Sequence, residues 1–319
     1  MSSERDREYL FRVLFRLEVH QSQGDAFQGL FSTVMKYTDP RFQRIEPWGN
    51  WGDGGNDGWI AEDGHYFQVY GPKATTSHVD SCTTALAKAI DDFAKLPKKW
   101  MDVRRYTFVM NDRFQGIPAP IDNDLQKLAK DRALERAASL AMLDLLMMFM
   151  KLGEGERQDI IGHVPDVDVD ILDPSAVGTL LFNLANHASA KLAFLHDTAP
   201  DFEEKIKFNG LTPPVSFRLQ RASYQVALVD EFLTEHDLGL RQAIAQDIKG
   251  FYEKSKEEIP DTVDGAANER YTRMIERLIP DTPKHPHSMV AYVTAAEAIL
   301  AKYFETCDAY EHPTSAPAP

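Results

Sequence analysis

The chain has 319 residues and a formal net charge of −14, with 35 basic against 49 acidic side chains. That length is enough for two domains of ordinary size, and the acidic balance argues against a generic polyanion binder. Cys82 and Cys307 are the only cysteines and lie far apart; this excludes a disulfide framework or a cysteine zinc site and points to a reducing compartment.

Helical periodicity opens the chain. Leu10, Val13, Leu14 and Leu17 form one apolar stripe; Phe27, Leu30, Phe31, Val34 and Met35 form a second, after the Gly24-Asp25 start signal. Gln28 flanks the second stripe, placed to border a core and still face a cleft. A strand is expected near Phe42–Glu46. The stretch Trp51-Gly52-Asp53-Gly54-Gly55-Asn56-Asp57-Gly58-Trp59-Ile60 then reads as a glycine-rich turn running into a strand. Asp63-Gly64 is a two-residue hairpin signal, and His65-Tyr66-Phe67-Gln68-Val69-Tyr70 is the returning strand. With Asp63-Gly64 as the loop, Trp59 faces Gln68 and Asp57 faces Tyr70. Side chains alternate across a strand. Asp57, Trp59, Gln68 and Tyr70 are therefore expected on one face, and Ile60, Phe67 and Val69 on an apolar face that belongs to a core.

The first face gathers a carboxylate, an amide and a phenol. Mg²⁺ takes hard oxygen ligands, and Asp57, the Gln68 side-chain carbonyl and the Val69 backbone carbonyl are candidate donors. A bound ion would polarise a phosphate and help generate hydroxide; Lys73, three residues past Tyr70, is the candidate lysine. Read without that chemistry, the same glycines, Asp and Asn make an ordinary turn. Neither G-x-G-x-x-G nor G-x-x-x-x-G-K-[ST] occurs, so a nucleotide-binding loop is not supported.

Downstream, a helix is expected across Ser81–Lys95 and a strand near Arg105–Met110. Lys95, Lys98, Lys99, Arg104 and Arg105 form a basic cluster that can meet nucleic-acid phosphates, or serve equally as a solvated helix end. Ile117-Pro118-Ala119-Pro120 marks a connector, and a helix is expected from about Asn123 to Lys151. Its greasy run Ala137–Met150 is too short to span a bilayer and carries Asp144. Gly162–Pro174 contains Asp166, Asp168, Asp170 and Asp173 and is a plausible boundary. Beyond it, helices are expected over Ala176–His196, Val215–Glu235, Leu238–Ser255, Gly265–Leu278 and Val290–Phe304. His285-Pro286-His287 reads as a proline-rich loop. Residues 1–150 hold 19 basic and 21 acidic side chains, against 16 and 28 in 151–319. The acid is thus concentrated in the helical half.

The order G-D-x-x-N-D-G, a short gap and F-Q-V-Y-x-P resembles the N-terminal nuclease domain of bacterial ABC-three-component and Lamassu-type antiphage systems, in the Mrr-like branch of the PD-(D/E)XK endonucleases. Phe27-Gln28-Gly29-Leu30-Phe31 resembles that family's first helix and Tyr106–Asp112 its third strand. Lys205–Leu211 and Tyr303–Asp308 resemble its helical C-terminal domain. Three positions depart from the usual pattern: Gln68 replaces the acid of the second strand, Tyr70 occupies its lysine position, and Gln28 stands where relatives carry a helix-borne glutamate. The resemblance implies an α+β fold: a restriction-endonuclease-like domain with a small mixed sheet over residues 1–164, an all-α docking domain over 165–310 and a disordered tail over 311–319. It implies a cytoplasmic, Mg²⁺- or Mn²⁺-dependent DNA endonuclease in bacteria, with Asp57, Gln68, Lys73, Tyr70 and Gln28 as the catalytic set. The implied partners are DNA, an SMC-like or Rad50-like ABC ATPase and a third small subunit, with self-association on activation and no membrane. No ATPase motif occurs in this chain, so ATP hydrolysis would belong to the partner. The competing reading is a catalytically silent nucleic-acid-binding or scaffold subunit.

Overall fold

The computed structural model describes residues 2–46, 54–73, 78–162, 164, 173–185, 202–234, 238–280, 289–305 and 309–313. Trp51–Asp53 of the glycine-rich stretch, Asp166, Asp168, Asp170, Cys307 and the His285/His287 pair lie outside them, and the Cys82 side chain is likewise not described. The chain divides into two compact units: Phe15–Val164, and Met1–Leu14 together with Pro165–Pro319.

The first unit begins within helix α1 (Ser2–Gln21) and continues through α2 (Gly24–Thr38) into a five-stranded mixed sheet. The strands β1 (Gln43–Arg44), β2 (Gly58–Ile60), β3 (His65–Tyr70), β4 (Arg105–Met110) and β5 (Arg136–Leu140) lie side by side in chain order. The pairs β1–β2 and β2–β3 are antiparallel, and β3–β4 and β4–β5 are parallel. Helices α3 (His78–Phe93) and α4 (Leu96–Lys99) cross between β3 and β4, and α5 (Ala119–Asp131) crosses between β4 and β5. Parallel neighbours need such crossovers, and the helices cover the sheet they connect. Helices α6 (Met142–Met150) and α7 (Glu154–Ile161) close the unit.

The hairpin departs from its expected register. Gly58 pairs with Phe67, Trp59 with Tyr66 and Ile60 with His65. The loop is therefore four residues, a 3₁₀ turn over Ala61–Asp63 closed by Gly64 at φ 55°. The Gly64 carbonyl also accepts the N–H groups of Arg104 and Arg105 at 2.9 and 3.0 Å, which holds the turn against the start of β4. The slip is two residues, an even number, so every side chain keeps its expected face. Both faces are covered, however. Phe67 packs with Phe31 and Phe42 on one side, at centroid distances of 5.7 and 5.6 Å. Tyr66, Tyr106, Phe108 and Met110 join a core with Ala85, Ala89, Phe93, Ile121 and Leu125 on the other.

Strand β5 stands where a single helix from Asn123 to Lys151 was expected. Ala133 takes φ 51° and breaks the helix. Arg136–Leu140 then pairs in parallel with Arg105–Val109, a tertiary gain that overrides the helix propensity of Ala137 and Ala138. Helix α6 starts afresh at Met142, whose N–H reaches Asp112 Oδ1 at 3.0 Å, while Asp144 Oδ2 accepts the Ala141 N–H at 3.2 Å.

The second unit is helical, with α8 (Pro174–Ala185), α9 (Phe202–Phe208), α10 (Val215–Ser223), α11 (Val226–Thr234), α12 (Leu238–Glu258), α13 (Ala266–Leu278) and α14 (Met289–Glu305). The segment expected as one helix over Val215–Glu235 is two, interrupted at Tyr224-Gln225. Helix α14 is buried along most of its length. Buried Arg218 meets buried Glu297 through two hydrogen bonds of 2.7 and 2.8 Å, and its guanidinium lies 5.2 Å from the ring centre of Tyr9. The Lys205 ammonium is buried and satisfied by the carbonyls of Phe304 and Ala309 at 2.6 and 2.9 Å. Glu311, expected to open a disordered tail, is instead tied down, its N–H donating to Asn209 Oδ1 at 2.9 Å. No helix among the described residues is long and apolar enough to cross a membrane.

Candidate functional site

Asp57 sits one residue before β2 and is held there by its own backbone. Its N–H donates to the Phe67 carbonyl at 2.9 Å, and its carbonyl accepts the Ile45 N–H at 3.0 Å. Asn56 Oδ1 accepts the Gly58 N–H at 3.0 Å, a side-chain-to-backbone turn that fixes the peptide between them. Gly55, at φ 80°, approaches α3 so closely that a Cβ there would collide with the Asp92 carbonyl. The glycines of the motif thus let the loop press against the helix and present Asp57 inward.

The Asp57 carboxylate is buried and well bonded. Oδ1 accepts Gln28 Nε2 at 3.1 Å. Oδ2 accepts Gln68 Nε2 at 2.5 Å and the Val69 backbone N–H at 2.6 Å. The Val69 bond has a structural cause. The next rung beyond the Asp57–Phe67 bond would need a carbonyl from the departing loop, and the carboxylate takes its place. A buried N–H must find an acceptor. Gln68 is only 2 % exposed, and its Oε1 is buried with no hydrogen-bond partner among the described residues. An ionised carboxylate only accepts, so the amide must turn its nitrogen to Asp57 and leave its oxygen orphaned.

Gln28, Asp57, Gln68 and Val69 therefore meet, from α2, the loop, and β3. Val69 contributes its N–H to this cluster. Tyr70 is on the Gln68 side of β3 but stacks on Phe108, with ring centres 6.3 Å apart. Lys73 is exposed, past the strand, and no hydrogen bond or ion pair joins it to Asp57 or Gln68. The basic cluster is divided. Lys99 lies beside Gly54 and Trp100, while Trp100 packs on Trp59 and Tyr66. Arg104 donates to the Glu62 carbonyl at 2.5 Å. Arg105 lies on the other face of the sheet, paired with Glu135 at 2.8 Å. Lys98 is exposed on α4.

Two groups beside the site were not singled out from sequence. Asn56 Nδ2 and Trp100 Nε1 are buried donors without partners among the described residues, and the Trp100 ring nitrogen faces Gly54. The tryptophan directly after Lys98-Lys99 was the available signal.

A divalent ion suits the chemistry of this donor set. The orphaned Gln68 Oε1 is a hard oxygen beside a carboxylate, and Mg²⁺ is commonly held by one or two carboxylates with water completing the shell. Asp57 and Gln68 would hold it, after the amide turns over. Among the described residues no group of three or more His, Cys, Asp or Glu side chains is arranged to hold a metal.

Residues 175–311 match the family model for C-terminal domain 10 of the ABC-three component (ABC-3C) systems. The match supports membership in that system family and falls on the helical unit. No curated protein and no solved structure matches the chain.

Proposed function

We propose that this chain is the nuclease subunit of an ABC-three-component antiphage complex, hydrolysing DNA phosphodiester bonds with a divalent metal. The observation that carries this reading is the buried Asp57–Gln68 pair with its unsatisfied carbonyl oxygen. An unpartnered buried acceptor is costly, by about 1–3 kcal/mol, and such exceptions concentrate at functional positions. The ABC-3C match of the helical unit supplies the setting, a system of several components. In that setting the helical unit docks an SMC-like or Rad50-like ABC ATPase and a third subunit, and the sheet-bearing unit cuts.

A bound ion would polarise the scissile phosphate and acidify its own water. The chain's residues do the rest. Asp57 holds the charge. Gln68 turns its carbonyl inward. Gln28, donating to Oδ1 from α2 at 3.1 Å, orients the carboxylate. Lys73, on a flexible stem, or the Tyr70 hydroxyl positions the attacking water.

A silent scaffold or nucleic-acid-binding subunit is the second reading, and one observation favours it: Asp57 already serves as the cap of the Val69 N–H, a structural duty needing no metal. The deciding experiment is plasmid cleavage by the full chain with Mg²⁺ or Mn²⁺, alone and with its neighbouring subunits. Metal-dependent nicking that vanishes in Asp57→Asn supports the nuclease. Absence of nicking in the complete complex favours the scaffold.

A further inference from the structure

The face of the sheet turned toward α2 carries a second constellation, separate from Asp57. His65, Arg105 and Arg136 are direct Cα partners across β3, β4 and β5. They stand in one row on one face of three adjacent strands. The row lines an open groove of about 770 Å³, with Met35, Phe67, Leu140 and Met148 among its apolar lining. One row inward, Thr107 Oγ1 lies 2.8 Å from His65 Nε2.

Like charges directly opposite each other on neighbouring strands repel, yet Arg105 and Arg136 are placed so. The carboxylates lining the groove are already engaged: Glu135 with Arg105 at 2.8 Å, Asp39 with Arg41 at 2.7 Å, and Asp144 with the Ala141 N–H at 3.2 Å. Asp63 nearby is paired with Arg41 at 3.1 Å. Arg136 is exposed and has no hydrogen-bond or ion-pair partner among the described residues.

We propose that this groove binds a small phosphate monoester with an apolar or aromatic body. The phosphate would sit at the His65–Arg105–Arg136 row and the body along Met35, Phe67, Leu140 and Met148. Cationic and imidazole groups set in one row on three strands and lining one groove suit an oxyanion with three acceptor oxygens better than a two-oxygen carboxylate. Arginine forks are the side chains best matched to phosphate. The groove's size falls in the range of small-ligand sites. The imidazole is neutral at pH 7, its pKa depressed to about 4 by burial and then by Arg105. A bound phosphate would offset those charges and move the imidazole pKa upward.

The test uses the full chain in EDTA, so that no metal at Asp57 contributes. Adenosine 5′-monophosphate, p-nitrophenyl phosphate, inorganic phosphate and adenosine are titrated by calorimetry. The His65 imidazole resonance, assigned with His65→Gln, is followed by NMR. The two monoesters are expected to bind at least tenfold more tightly than adenosine or inorganic phosphate and to raise the His65 pKa. Arg136→Gln should weaken the monoesters roughly tenfold or more, the loss of one charge-assisted bond, with the circular dichroism unchanged. Adenosine binding as tightly as its monophosphate, inorganic phosphate binding as tightly as the monoesters, full affinity in Arg136→Gln, or no heat and no His65 shift with either monoester overturns the proposal. None of these outcomes bears on the nuclease reading.

Discussion

Gln68 offers Asp57 its amide nitrogen at 2.5 Å and keeps its carbonyl oxygen buried and unpaired. Under the proposed function, a half-turn of that single amide would bring the orphaned oxygen toward an ion held by Asp57. That relation governs what substitutions at either residue should do.

Asp57 has two duties, so its variants should separate them. Asp57→Ala leaves the Val69 N–H without its acceptor and should destabilise the chain by about 1–3 kcal/mol. Asp57→Asn keeps an oxygen for that N–H and should be milder. Under the proposed mechanism both should abolish cleavage, because the carboxylate's charge would hold the ion. Urea unfolding measures the first effect and plasmid nicking the second. Full cleavage by the Asn variant removes Asp57 from the mechanism.

Gln68→Glu places a second carboxylate beside the first in a buried setting. Two such groups cannot both ionise cheaply, so one should hold its proton to a raised pKa. The folded state then binds the extra proton. Stability relative to the native chain is highest in acid and falls as pH rises from the carboxyl's unfolded value, about 4.3. Mn²⁺ should reverse that loss. Thermal melts at pH 7 with and without Mn²⁺ provide the check: the variant should gain more than the parent, and equal gains would argue against metal ligation.

His65 should impose its own pH dependence. Its folded pKa lies at about 4, below the ordinary 6.5, mainly through burial, then through Arg105, with Asp63 opposing and Arg136 adding. The unfolded chain therefore binds the proton first as pH falls. The neutral imidazole's stability is fully present above pH 6.5 and is lost as pH drops from there toward 4, a loss of roughly 2–3 kcal/mol. Urea midpoints at pH 7 and pH 5 should differ less in His65→Gln than in the parent. An unchanged difference would place the titration elsewhere.

Lys73→Ala and Tyr70→Phe should divide catalysis from packing. Lys73 is exposed and past the strand, so its loss should change stability by less than about 0.5 kcal/mol. Positioned proton-transfer groups commonly contribute about 10²- to 10⁴-fold. A drop of that size in Lys73→Ala, with Tyr70→Phe near parental, assigns the water to the lysine. The reverse pattern assigns it to the phenol, whose ring the Phe variant keeps on Phe108.

Parity makes the shared face of Asp57 and Gln68 legible in the sequence. An even register slip preserves faces, so Asp57 and Gln68 were expected together although the assumed loop was two residues too short. Burial of both sheet faces was less accessible. Tyr70 read as a polar partner of Asp57 and Gln68, whereas that face of β3 also carries core: Tyr66 is buried, its hydroxyl reaching the Met101 carbonyl at 2.8 Å. β5 was concealed because Arg136–Leu140 has helix-forming composition, and only its pairing to β4 makes it a strand. The His65–Arg105–Arg136 row depends on that same strand and so was not visible either.

Removing the helical unit should remove partner binding, and the cut must respect the fold. Residues 1–14 count with the helical unit, where Tyr9 lies over Arg218 and is almost wholly buried. A 1–164 fragment would expose Tyr9, Leu10, Phe11 and Val13, apolar residues at most 8 % exposed in the full chain, and should associate nonspecifically. A 15–164 fragment avoids that surface and keeps Phe15, which stacks on Phe149 at 4.3 Å. Under the proposed division of labour, the full chain should co-purify with the neighbouring ATPase and the 15–164 fragment should not. Arg218→Met with Glu297→Leu supplies a control within the helical unit. Replacing both members of a buried ion pair by apolar groups is often neutral, whereas removing one costs about 3–5 kcal/mol. The double variant should therefore retain the partner and either single variant should lose it with the fold. Capture of the ATPase by the 15–164 fragment as tightly as by the full chain would place docking on the sheet-bearing unit instead.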